Sequence, residues 1–137
     1  MAHAQPFDVQ IDAWITRAKD LANAFCLEFV QDIAQAVIEA TPVKTGFLRA
    51  SWHTSIGAPG DSGAAVANVG MAGFTPGDAL YLMNGAVYAM RVEYGFVGID
   101  SLGRHYNQAP RAFVRGTLAR ADEIAEAALA RVLAAKP

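Results

Sequence analysis

The run from Phe7 to Ala40 contains neither glycine nor proline, and it restricts the fold more than any other feature of the chain. Ile11, Trp14, Ile15, Ala18, Leu21, Ala22, Phe25, Phe29, Ile33 and Val37 recur at three- and four-residue steps, which is the spacing of one helix face. Asp12, Thr16, Lys19, Asn23, Gln31 and Gln35 fall on the other side. Asp8 follows Pro6-Phe7 and is expected to cap the start. Thr41-Pro42 ends the helix, because proline restricts the residue before it. Cys26 and Val30 widen the apolar arc, and an arc that wide suggests more than one packing surface. Phe25 and Cys26 are both expected to be core residues.

The rest of the chain must fold against this helix. PVKTGFL (42–48) reads as a turn-rich connection. Beyond it, Ala50, Trp52, Thr54 and Ile56 alternate with Arg49, Ser51, His53 and Ser55, the period of a half-buried strand. GAPGDSG (57–63) is a turn and AAVANVG (64–70) a weaker second strand, so a β-hairpin is expected. Residues 71–86 read as loop with a helical turn at 79–83. VYAMRVEYG (87–95) fits a strand or a short helix, and 95–110 reads as loop. Val114, Leu118, Ala121, Ala125, Ala128 and Val132, thickened by Ile124, Leu129 and Leu133, mark a C-terminal helix rich in alanine. The expected class is α+β: a long N-terminal helix, a hairpin or small antiparallel sheet, and a C-terminal helix. With 137 residues the chain fits one domain, 1–137, with 1–6 disordered.

Charged residues make up 18% of the chain, below the roughly 25% usual for soluble domains, which suggests that other subunits cover some apolar surface. The single cysteine, Cys26, excludes an internal disulfide and any CxxC metal site. The N-terminus lacks the apolar core of a secretory signal. No stretch reaches the roughly 18 uninterrupted apolar residues of a membrane span. A soluble protein made in the cytoplasm, without a membrane partner, is expected. Residues 7–41 are acidic, whereas Arg104, Arg111, Arg115 and Arg120 have no acid among them between 101 and 120. That basic stretch reads either as a partner for the acidic helix or as a nucleic-acid contact.

Nothing in the sequence points to catalysis. His3, His53 and His105 are scattered and read as surface residues, and no GxSxG, Walker-type or GxGxxG pattern occurs. Asp61 and Asp78 stand in glycine-rich turns, where aspartate serves local hydrogen bonds. No catalytic, cofactor-binding or metal-binding residue is assigned, and no cofactor is expected.

Three segments carry a resemblance. Thr41-Pro42-Val43-Lys44-Thr45-Gly46-Phe47-Leu48-Arg49-Ala50-Ser51 resembles the TPVxTGxLRxS signature of the head–tail joining (tail-completion or neck) proteins of long-tailed double-stranded-DNA phages. Tyr88-Ala89-Met90-Arg91-Val92-Glu93-Tyr94-Gly95 resembles that family's YAxxVExG block. Ala109-Pro110-Arg111-Ala112-Phe113-Val114-Arg115 resembles its third block, before the last helix. Order and spacing agree across residues 41–118. The sequence departs from the pattern at Lys44, where an acid is common, at Gly116, where a proline is common, and in the extra length at 71–86.

The resemblance implies a non-enzymatic virion subunit of the phage neck, made in the bacterial host cytoplasm. It would form a ring of about six copies between the connector on the portal side and the tail terminator or tube, through which DNA passes without specific contact. Thr45, Gly46, Arg49, Tyr88, Glu93, Gly95, Pro110, Arg111, Phe113 and Arg115 are the structural or assembly residues it marks. Arg49 and Glu93 are expected to pair and brace the sheet. The alternative is a small DNA-binding or packaging accessory protein that uses the 104–120 stretch.

Overall fold

A computed structural model describes residues 4–60 and 70–135. In chain order the elements are α1 (Phe7–Ala40), α2 (Phe47–Ala50), β1 (Trp52–Ile56), β2 (Leu80–Asn84), α3 (Ala89–Tyr94), β3 (Phe96–Ile99), β4 (His105–Gln108), α4 (Phe113–Leu118) and α5 (Ala121–Ala135). The architecture is α+β, with a long N-terminal helix, two antiparallel strand pairs and a C-terminal helix.

α1 forms where the periodicity places it. Its N-cap is Pro6 with no side-chain cap, so Asp8 does not cap the helix. Asp8 lies in the first turn, where its charge favours the helix dipole. Of the N-terminal tail, residues 1–3 lie outside the described residues. Gln5 and Pro6 each accept a hydrogen bond from Gln10. At the other end Thr41 is extended before Pro42. Its hydroxyl donates to the Val37 carbonyl at 2.8 Å and accepts the Trp52 indole N–H at 2.9 Å. Thr41 is 1% exposed, so both bonds lie away from water, where polar groups need partners.

The core gathers at this C-terminal end of α1. Val37, Leu48, Trp52, Ala86 and Phe113 pack together, with the Trp52 and Phe113 rings edge to face at 6.2 Å. α5 then returns along α1, burying Ile124, Ala128 and Val132. That set is shifted from the expected stripe: Leu118, Leu129 and Leu133 face water. Arg131 ties the two helices by ion pairs to Glu28, at 3.4 Å, and to Asp32.

The two helices differ in length. α1 has 34 residues and α5 has 15, or about 51 Å against about 22 Å. Every residue from 4 to 20 is therefore exposed. Val37 is buried as expected, whereas Leu21, Phe25, Phe29 and Ile33 are half-buried. Ile11, Trp14 and Ile15 lie in water. Among the described residues the broad apolar arc has an intramolecular partner over its second half only. Cys26 is half-buried rather than core, and Phe25 owes its shelter to a stack on Phe29 at 5.7 Å. α1 is also long and apolar enough in composition to cross a membrane.

The strands differ from expectation. Arg49 and Ala50 belong to the one-turn helix α2, so β1 begins at Trp52. It pairs antiparallel with β2, Trp52 opposite Asn84 and Ile56 opposite Leu80. Residues 71–86 thus supply a strand where a loop with a helical turn was expected. The expected strand at 64–70 falls, but for Gly70, outside the described residues. Residues 89–94 are helical. The expected loop at 95–110 is a hairpin of β3 and β4, closed by Asp100. Its carboxylate accepts the Leu102 and Arg104 amide N–H groups, both at 2.9 Å. His53 is 5% exposed rather than on the surface. Its Nδ1 lies 3.4 Å from the Ser51 carbonyl, and its Nε2 has no hydrogen-bond partner among the described residues.

Candidate functional site

The residues after the last strand hold the third sequence block against the second. The Arg111 and Ala112 amides donate to the Val92 and Glu93 carbonyls at 2.9 and 3.1 Å. Ala112 then turns with φ 47°, an uncommon conformation for a residue with a side chain, and α4 starts. Its first amides have no partners within the helix. Glu93 supplies them: the Val114 and Arg115 N–H groups donate to its two carboxylate oxygens at 2.9 and 3.0 Å. The Arg115 guanidinium donates to the same carboxylate and to the Glu93 carbonyl, at 2.9 and 2.8 Å. It also lies over the Tyr94 ring at 4.3 Å.

Glu93 is only 5% exposed. Burial pushes its carboxyl up, but the two amides and the Arg115 side chain together outweigh it and hold the group below the ordinary glutamate range. Gly95 makes this joint possible. Its φ is 79°, and a Cβ there would meet the Gln108 carbonyl oxygen at 2.7 Å and the Pro110 ring at 2.9 Å. Only glycine fits.

Arg49 does not pair with Glu93. Its Nη2 donates to the Glu39 and Thr41 carbonyls, each at 3.0 Å, so it satisfies acceptors at the α1 C-terminus that the helix leaves open. The pairing partner of Glu93 is Arg115, because the start of α4 lies against α3.

A cleft of about 820 Å³ opens beside this joint. All three blocks reach it: Thr45 and Gly46 from the first, Tyr88 and Arg91 from the second, Arg111 from the third. Gly46 turns the chain into α2 with φ 88°, and the Thr45 hydroxyl accepts the Phe47 N–H at 3.4 Å. Phe47 stacks on Tyr88 at 6.0 Å. The wall from the β3–β4 hairpin carries Phe96 and Tyr106, 5.8 Å apart, and Arg91 lies over the Phe96 ring at 4.1 Å. The lining carries Lys44, Arg91 and Arg111 and no carboxylate. Among the described residues none of these three cations has an ion-pair partner, so the cleft is basic with aromatic walls.

Of the ten residues marked in the sequence, Thr45, Gly46, Tyr88 and Arg111 come together at the cleft. Glu93, Gly95, Pro110, Phe113 and Arg115 build the joint behind it, and Arg49 fastens the end of α1. Arg91, Phe96 and Tyr106 were missed. Arg91 fell on a variable position of the second block. Phe96 and Tyr106 lay in a segment read as loop, although Asp100 and Gly103 between two alternating runs are a hairpin signal. In the basic stretch Arg104 pairs with Asp100 at 2.6 Å, Arg115 with Glu93 and Arg120 with Glu123 at 3.5 Å. Only Arg111 keeps its charge uncompensated among the described residues.

Among the described residues no three His, Cys, Asp or Glu side chains are placed to hold a metal ion. The joint has the chemistry of a fastening: a carboxylate held ionised by three donors has no proton to exchange near neutral pH. No family model, curated protein or solved structure matches this chain.

Proposed function

We propose that the protein is a non-enzymatic structural subunit of a phage neck, forming a ring of about six copies that joins head to tail and lets DNA pass without specific contact. The observation that carries this reading is the convergence of the three resembling blocks, spread over residues 41–118, on one joint and one cleft. Glu93 of the second block closes the helix opened by the third, and Arg49 of the first closes α1. The residues that carry the resemblance are spent on holding elements together and on lining a surface cleft, as an assembly protein needs.

A DNA-binding role for residues 104–120 draws less support, since three of its four arginines are paired with carboxylates and offer little charge to phosphates. A membrane span by α1 would put Glu28, Asp32 and Arg131 in lipid, where ionised groups are costly. Their pairing against α5 fits a helix of a water-soluble body better.

The test is particle assembly. Deleting the gene from its producing genome should leave filled heads and separate tails, and labelled protein should map to the junction by electron microscopy. Normal joined particles without the protein would refute the reading.

A further inference from the structure

Among the described residues the cleft has three cations without ion-pair partners, aromatic walls and no acid, and at the far end of α1 the molecule presents the opposite. Residues 4–16 carry Asp8 and Asp12 and no cation. Phe7 is 78% and Trp14 64% exposed. On a helix of 3.6 residues per turn, Phe7, Ile11 and Trp14 form one stripe, and Asp8 and Asp12 run along its flank. Large exposed apolar groups rimmed by charge mark an interaction surface, and aromatics of this kind serve as interface anchors.

We propose that the cleft receives the first turns of α1 from a second copy of this chain, with Phe7 and Trp14 as anchors and Asp8 and Asp12 facing Lys44, Arg91 and Arg111. Charge and size both match. A cleft of about 820 Å³ takes a few large side chains and not a whole helix, and the tip of a projecting helix offers just that.

The tip of α1 cannot reach the cleft of its own subunit. The cleft lies against Pro42–Leu48, beyond the C-terminal end of α1, and the tip lies about 51 Å away along a helix of 34 residues. The contact is therefore between copies. It joins two different patches, so it is heterologous and propagates until it closes, which is how rings arise. Arg115, basic in sequence, has no part in it, because Glu93 and Tyr94 already hold it. The contact deepens the ring reading and rests on it.

Complementation between two broken surfaces tests it on the full-length protein. One variant carries Arg91→Glu and Arg111→Glu, the other Phe7→Ala and Trp14→Ala; all four residues are exposed, and circular dichroism and thermal melting check folding. Lys44→Glu serves as an independent cleft variant that disturbs no described contact. By sedimentation, the wild-type chain should self-associate with rising concentration and each double variant should stay monomeric. An equimolar mixture should form one-to-one pairs and stop there, since each partner has one intact surface. Self-association of either double variant at the wild-type level, or failure of the mixture to pair, would overturn the contact while wild-type assembly left the ring reading standing. A wild-type chain that stays monomeric to its solubility limit, and is absent from the head–tail junction, would sink both.

Discussion

Replacing Glu93 by alanine should cost the fold about 3 kcal/mol, and the sum can be worked from its bonds. The Val114 and Arg115 amides lose their acceptors, and a sheltered donor left unsatisfied costs about 1–3 kcal/mol. The Arg115 side chain is 49% exposed, so water reaches the gap and the low end, about 1 kcal/mol each, applies. An anion lost from a helix N-terminus adds about 0.3–1 kcal/mol, and the half-exposed ion pair adds little. Glu93→Gln keeps one carbonyl oxygen for one amide but turns an NH₂ toward the other, so about half to two thirds of that loss remains. Denaturant titration followed by circular dichroism at neutral pH reads both, and the alanine variant should melt roughly 10 °C lower. The pH dependence supplies a second check. The Glu93 carboxyl lies below its ordinary value in the fold, so its contribution is complete above the unfolded glutamate pKa of about 4.3 and fades as pH falls through the lower folded value. The gap between wild type and Glu93→Gln should therefore shrink as the pH drops from about 6 toward 3. A loss under about 0.5 kcal/mol in Glu93→Ala, or a gap that does not change with pH, would refute the capping argument.

Gly95→Ala should cost about 3 kcal/mol, from a φ that disfavours any side chain and a clash with the Gln108 carbonyl and Pro110; a melting temperature within a degree or two of wild type would count against it. Trp52→Ala should cost about 3–5 kcal/mol because the ring is core and holds Thr41. Phe25→Ala, half-buried on α1, should cost only about 1 kcal/mol, and equal losses in denaturant titrations would contradict the observed burial. Asp100 should titrate by NMR at about 2, because the Arg104 amide, the Arg104 side chain, the Leu102 amide and the Tyr106 hydroxyl outweigh its desolvation. In Arg104→Ala the titration should move back up toward the ordinary aspartate value, and no movement would dismiss the guanidinium contribution.

The sequence by itself determined the elements whose cause is local. α1 was legible from Phe7 to Ala40 because helical period and the Thr41-Pro42 stop act within a few residues. The α+β class followed from the same patterns, and so did a helical segment after Pro110, though not its break at Ala119-Arg120. What depends on contact between distant segments was not legible. β2 reads as loop because Leu80–Asn84 becomes a strand only by pairing with β1, and strand preference is set by such neighbours. The N-terminal half of α1 has the same apolar period as its second half, but α5 is too short to reach it, and periodicity carries no information on a partner's length. Glu93 and Arg49 were both singled out as an ion pair, and the structure gave each another task. Two open helix ends needed partners, a donor for the carbonyls at Thr41 and an acceptor for the amides at Val114, and proximity in space rather than spacing in sequence decided which charged side chain served each.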